Sequence, residues 1–250
     1  MIYLKFISRL IRFLKSLLTK TLLSNHKFQN KNQVTNASII LNLLKKKKIS
    51  PNYIVDVGCG YGEWTKKLLN IFPKSDFYLF DADKNNLEKL DILKKKNKNI
   101  NYKICLLTDD NKTYNFYNMG YGSSIFEEQT SHNRNVEKIT STTLDQELPD
   151  ELKEQTNNLI KLDVQGSELK VLEGLKETIN AFEVIILEVS IHNYNKDSPL
   201  FDKVMNYMNE KNYRLYDLFD LKRLGNNESF LVQFDCVFVR KNSELFKVKF

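Results

Sequence analysis

The run Val55-Asp56-Val57-Gly58-Cys59-Gly60-Tyr61-Gly62 constrains this 250-residue chain more than any other stretch. Apolar residues lead into three glycines at alternate positions. The segment beginning Glu63-Trp64-Thr65 has helical character. Asp81 follows Gly62 by 19 residues and ends a second apolar run. The order is strand, glycine turn, helix, strand, carboxylate. Glycines let the backbone approach a ligand with no Cβ in the way. A carboxylate at the tip of the second strand can accept hydrogen bonds from both ribose hydroxyls.

The spacing narrows the ligand. A dinucleotide-binding turn runs G-x-G-x-x-G. Here the third glycine comes one position early, and Glu63 stands where that turn would have its last glycine. Asp56 places a further carboxylate just before the turn. Two acids at that place repel a pyrophosphate. They suit S-adenosylmethionine, which has no phosphate and carries an amino group and a sulfonium cation. Asp56 and Gly58, Cys59, Gly60 and Gly62 are therefore expected at the methionine end. Asp81 and Ala82 are expected at the ribose. Asp81 can also be read as a turn-forming Asp, and Asp83 as a helper or as the cap of the next helix. Thr108 and Asp109, after the third strand, are placed beside the adenine by position.

Beyond the turn, strands and helices alternate. Strands are expected at 53–57, 76–80, 101–106, 159–164 and 183–189, with a short extra one at 114–117. Helices are expected at 36–48, 63–72, 84–96, 167–179 and 199–211. Segments 213–218 and 234–239 read as terminal strands. Such alternation predicts an α/β domain over residues 36–250, with a mostly parallel, doubly wound sheet. No helix separates the last two strands, so the final one is expected to be antiparallel. Hydrophobic content of 42% and charged content of 28% fit a globular domain of this kind.

The segment from Ile160 to Gly174, IKLDVQGSELKVLEG, resembles a signature of the FkbM-type methyltransferases. There a strand ending I-K-x-D-V-E-G leads into a helix beginning x-E-x-x-V-L-x-G. Gly122-Ser123-Ser124, Thr143-Leu144-Asp145 and Leu187-Glu188-Val189 match further features in the same order. The resemblance covers roughly residues 53–239. It implies the Rossmann-like class I methyltransferase fold, S-adenosylmethionine as cofactor, and O-methylation of sugars or related small molecules. The chain departs from the family at three places. Its first motif is D-V-G-C-G-Y-G where the family often has D-V-G-A-N-x-G. Asp81-Ala82-Asp83 stands where Glu-Pro is common, and Gln165 replaces the glutamate of D-V-E-G.

Methyl transfer to oxygen requires nucleophile, methyl carbon and sulfur nearly in line, and a polarising group beside the hydroxyl helps. Asp163, at the end of an apolar strand, is placed where open α/β sheets bind ligands. It is both a candidate base and contact for the cofactor, and a candidate cap for the next helix. Glu188 ends the following strand and is either a second catalytic carboxylate or an anchor for its loop. His192 and His132 are loop histidines that titrate near neutrality; each is also readable as a surface residue. No cluster has metal-ligand spacing, so no metal ligand is named, and side chains converging from separate loops stay an open route to metal dependence. Two alternatives stay open: a nicotinamide-dependent oxidoreductase and a noncatalytic scaffold that keeps the cofactor pocket.

Charge is distributed unevenly. No acidic residue precedes Asp56, and eleven lysines and arginines lie before it. Of 38 basic residues, 27 remain for the body, against 31 acidic ones. A mildly acidic body argues against nucleic acid as a partner and favours a small-molecule or glycan acceptor. Residues 1–35 form a basic arm and linker. Within 1–23, apolar residues recur at helical spacing, with Lys5, Arg9, Arg12 and Lys20 largely opposite them. That pattern predicts a helix on an anionic membrane surface, with packing against protein as the alternative. Its charges are too frequent for a spanning helix. Three cysteines without pairing or zinc spacing suit a reducing cytoplasm, on the inner face of the membrane if the arm binds there.

Overall fold

The computed structural model describes residues 36–120, 122–129, 133–193, 195–224 and 229–247. The basic arm and His132 lie outside the described residues. The domain begins with α1 (Ala37–Lys46), capped by the Asn36 side chain, which accepts from the Ile39 N–H at 3.2 Å. Lys45 donates to the Ile71 carbonyl at 2.6 Å and ties this helix to the end of α2 (Glu63–Ile71).

Seven strands form one sheet. In chain order they are β1 (Tyr53–Val57), β2 (Asp76–Asp81), β3 (Ile100–Ile104), β7 (Asn158–Leu162), β8 (Phe182–Ser190), β9 (Tyr213–Leu224) and β10 (Phe230–Arg240). Across the sheet the order is β3-β2-β1-β7-β8-β10-β9. The first five are parallel, and β10 runs antiparallel to both neighbours, as expected. The order reverses between β1 and β7, which opens a crevice at their carboxyl ends.

Helices cover both faces. On one face Ile54, Phe77, Leu79, Leu159 and Ile186 pack against α1, α2 and α3 (Leu87–Lys96). On the other, Val55, Val57, Ile160, Leu162, Ile185 and Leu187 pack against α6 (Glu168–Glu173) and α7 (Phe201–Glu210). Two short helices, α4 (Leu144–Glu147) and α5 (Asp150–Lys153), add Leu144, Leu148 and Leu152 to the second core. Alternate residues of the central strands thus go to opposite cores, which is why those strands read as continuous apolar runs.

Three features differ from the sequence expectation. The helix expected at 167–179 stops at Glu173, with Gly174 as its C-cap residue packed against Thr108, where a Cβ would lie 2.4 Å from the Thr108 carbonyl oxygen. The hairpin strands β9 and β10 are about twice as long as expected. A second sheet, β4-β6-β5, joins Leu106–Leu107, Asn135–Thr142 and Thr113–Asn118. Its β6 was not expected at all, since Val136 is 56% exposed and the strand has almost no buried face to impose an alternating pattern.

Candidate functional site

A cleft of about 710 Å³ opens at the carboxyl ends of β1, β2 and β7. Its first wall comes from the glycine turn. Asp81 ends β2, and its carboxylate accepts from the Gly60 N–H at 2.6 Å, the Asp83 N–H at 2.8 Å and the Asn86 side chain at 3.2 Å. Burial pushes its pKa up, and those donors oppose the rise. Asp83 lines the same wall and also caps the next turn, accepting from the Asn85 N–H at 3.0 Å. Asp56 reaches the cleft from within β1 yet is almost fully buried; the Thr65 hydroxyl donates to it at 2.5 Å. Burial raises its pKa to about 6, against the pull of Lys161.

The glycines divide by role. Gly58 and Gly60 line the cleft, as do Cys59 and Ala82. Gly60 has φ +54°, and the space a Cβ would fill there is open. Gly62 does not line the cleft. It begins α2 with φ +80° and packs on α3, where a Cβ would meet Leu93 at 2.4 Å.

The second wall is built on Asp163. Both its oxygens are held: Oδ2 by the Lys161 ammonium at 2.7 Å and Oδ1 by the Gln165 side-chain amide at 2.9 Å. Burial alone would raise this carboxyl. Lys161 beside it reverses the effect and brings the pKa down to about 2. Lys161 is itself buried, lies 5.6 Å from the Trp64 ring centroid, and has its pKa driven up by Asp163, Asp235 and Asp56 against the cost of burial. Gln165 also donates to Glu188, whose other oxygen pairs with Lys222. Burial and the neighbouring Asp163 push Glu188 up, and Lys222 draws it back. Asp235, opposite Glu188 in the β8–β10 register, is buried and raised to about 7, chiefly by loss of solvent.

A loop after β5 closes this side. Tyr117 and Ser124 exchange backbone hydrogen bonds at 2.8 and 3.3 Å, and the Ser123 hydroxyl donates to the Gly120 carbonyl at 2.7 Å. Asn118, Gly122, Ser123 and Ser124 thereby face the cleft.

Several expected residues stand elsewhere. Thr108 does not border the cleft; it is buried beside α6 and donates to the Asp110 carbonyl at 3.1 Å. Asp109 pairs with Lys170 at 3.2 Å, also off the cleft. Counting from β3 puts both at the cleft, but β4 intervenes, so Cys105, Leu106 and Leu107 take the wall instead. His192 is exposed and does not line the cleft. Glu188 reaches it only through Gln165 and Lys222. Asp163 does not cap α6, whose N-cap residue Ser167 makes no side-chain cap bond; Glu168 instead fastens the turn before the helix, its carboxylate accepting from the Val164 and Gly166 N–H groups at 3.0 and 3.2 Å. Lys161 and Asp235 were legible as charges inside apolar strands. Lys222 gave no signal, because its position depends on how far the hairpin extends. Among the described residues no group of His, Cys, Asp and Glu could hold a metal ion.

A family model, the methyltransferase FkbM domain, matches residues 56–215, more than half of the chain. The chain belongs to the FkbM methyltransferase family. The solved structures it resembles include an FkbM methyltransferase from Methylobacillus flagellatus, at 16% identity and TM-score 0.47, over 74% of this chain and 43% of that one. They also include a ribosomal protein L11 methylase from Lactobacillus delbrueckii (12%, TM-score 0.48, 85% and 81% of the two chains). A third is a precorrin-6y C5,15-methyltransferase from Geobacter metallireducens (12%, TM-score 0.47, 84% and 92%). No curated protein sequence matches significantly.

Family membership sets aside the nicotinamide alternative and makes S-adenosylmethionine the cofactor. The residues present fit it. Gly60 leaves a Cβ-sized space open at the turn, and Asp56 and Asp81 place carboxylates on the same wall. Lys222, Gln233 and Asp235 lie beyond the matched residues, on a hairpin that completes the second wall.

Proposed function

We propose that this FkbM-family methyltransferase methylates a hydroxyl of a sugar, glycan or related small molecule. The observation that carries the reading is the polar second wall, where Asn118, Ser123, Asp163, Gln165 and Lys222 offer donors and acceptors suited to a hydroxyl-rich acceptor. Asp56, the glycine turn, Asp81 and Asp83 hold the cofactor, whose sulfonium supplies an electrophilic methyl group.

Asp163 accepts a hydrogen bond from the attacking hydroxyl. Its low pKa keeps it ionised across the working range, so it aligns the oxygen through its remaining lone pairs. The hydroxyl becomes acidic as it receives the methyl group that the bound cofactor would supply, and Asp163 is placed to take the released proton. Glu188, Lys222 and Lys161 keep the carboxylate in place without touching the hydroxyl. The test is incubation with labelled S-adenosylmethionine and extracts of cell-surface glycans and small metabolites. Label in an O-methyl group of a sugar supports the reading. Label confined to nucleic acid or protein overturns it.

The acidic balance of the body favours such an acceptor over nucleic acid. Residues 1–23 bring the enzyme to an anionic membrane surface, where each basic residue contributes on the order of 1 kcal/mol. On this reading the enzyme works in the cytoplasm, peripheral to the inner face of the membrane. No helix among the described residues is long and apolar enough to cross a membrane. Co-sedimentation with anionic vesicles tests the arm. Equal binding by the full chain and a chain starting near Asn25, in low and high salt alike, overturns it.

A further inference from the structure

We propose that Gln165 is a positioning residue for methyl transfer, an amide clip that fixes Asp163 and couples it to the acceptor loop. The inference rests on the reading of Asp163 as the group that meets the acceptor hydroxyl.

Four independent tethers converge on this one side chain and its carbonyl. The amide nitrogen donates to Asp163 Oδ1 at 2.9 Å and to Glu188 Oε2. The backbone carbonyl accepts from the Ser124 hydroxyl at 2.8 Å and from the Asn195 side chain at 2.7 Å. Ser124 belongs to the loop after β5, Asn195 to the loop after β8, and Glu188 to β8 itself. Carboxyl oxygens lie on both sides of the amide, so only its NH2 end fits between them. A side chain with two donors on one atom is what this gap requires.

The backbone supports the same role. Gln165 has φ +53°, in the left-handed region that non-glycine residues seldom occupy. Gly166 follows at φ +100°, with no room for a Cβ against Ser198, which would lie 2.7 Å away. Glu168 fastens the turn from below through the Val164 and Gly166 N–H groups. Such a conformation persists only when its surroundings over-determine it, and here they do so beside the reacting carboxylate.

The charged groups around the clip are Lys161 from β7, Asp163 just after it, Glu188 from β8, Lys222 from β9, Asp235 from β10 and Glu168 from α6. An ionised glutamate at 165 would bring a third carboxylate against Asp163 and Glu188. A protonated one would restore a single donor. This makes the role separable from simple packing. Asp163, held low by Lys161, stays ionised throughout.

The experiment compares wild type, Gln165→Glu and Gln165→Met across pH, with the acceptor found in the labelling assay. Gln165→Met should lower kcat by roughly 10²-fold at every pH, with the Kd for S-adenosylmethionine within about threefold of wild type. Gln165→Glu should lose a similar factor near about pH 8.5 and regain most of it near about pH 6, as its carboxyl takes up a proton. Wild-type kcat in Gln165→Met, or a Gln165→Glu loss that is the same at both pH values, overturns the proposal.

Melting temperatures without cofactor or acceptor separate this proposal from the functional reading. Gln165→Glu should match wild type near about pH 6 and fall below it near about pH 8.5. Equal melting at both would show that no carboxylate pair is clipped there. If wild type methylates no hydroxyl but this pH dependence appears, the clip stands and the acceptor assignment falls.

Discussion

The two walls of the cleft hold their carboxylates by different means. On the cofactor wall, Asp81 and Asp56 are held by neutral donors: the Gly60 and Asp83 N–H groups, the Asn86 amide and the Thr65 hydroxyl. All of these lie between residues 56 and 86. On the acceptor wall, Asp163 and Glu188 are held by Lys161, Lys222 and the Gln165 amide, with Gln233 at the margin. These come from three strands and a turn, and two of them from the terminal hairpin. Neutral donors orient these carboxylates, and Lys161 only partly offsets the burial of Asp56, which suits a wall that meets a cationic cofactor. On the acceptor wall Lys161 keeps Asp163 ionised, while Lys222 only partly offsets the burial that pushes Glu188 up.

The sharpest test of that contrast removes a cation. Lys161→Met should destabilise the fold by about 3 kcal/mol, because the buried Asp56 and Asp235 lose the cation that most offsets their burial and Lys222 is left to oppose Asp235 and the half-buried Asp163. Urea midpoints measure it; a loss below about 1 kcal/mol would mean that the acceptor wall does not depend on its ion pair.

Asp163→Asn keeps the shape but removes the charge. It should lower turnover by roughly 10²-fold or more with cofactor affinity little changed. Near-normal turnover would move the catalytic role away from the second wall. The mirror experiment is Asp81→Ala, which should weaken S-adenosylmethionine binding by about 1–3 kcal/mol. Calorimetry giving unchanged affinity in the folded variant would remove Asp81 from the ribose.

The smallest expected effect concerns Glu168, which braces the turn between the walls. Burial raises its pKa to about 7. The folded state therefore holds a proton that the unfolded chain has released, and stability falls as pH rises from about 4.5 to about 7. Glu168→Gln removes that proton dependence. It should be near neutral at about pH 4.5 and stabilising by on the order of 1 kcal/mol at about pH 8. Thermal melts at the two pH values check it; a variant with the wild-type pH slope would show that Glu168 is not the group titrating.

The cofactor wall was legible because its parts are close in sequence. An apolar strand, an offset glycine turn and a carboxylate after the next strand can form only one local arrangement. The doubly wound sheet and its antiparallel last strand followed from the same alternation of apolar runs and helices. The sequence also put Asp163 at the carboxyl end of a strand, and it does line the cleft.

Only the tertiary structure decided what holds Asp163. Lys161 was visible as a charge in an apolar strand, yet its partners on β1 and β10 come together only when the sheet is assembled. Lys222 reaches Glu188 because β9 runs several residues past the expected end of the strand. The β4-β6-β5 sheet, which displaces Thr108 and Asp109 from the cleft, has too little buried surface to mark its strands by hydrophobic pattern. Hydrophobic periodicity records which residues meet a core. It carries no record of which polar groups from distant strands meet one another, and those meetings build the acceptor wall.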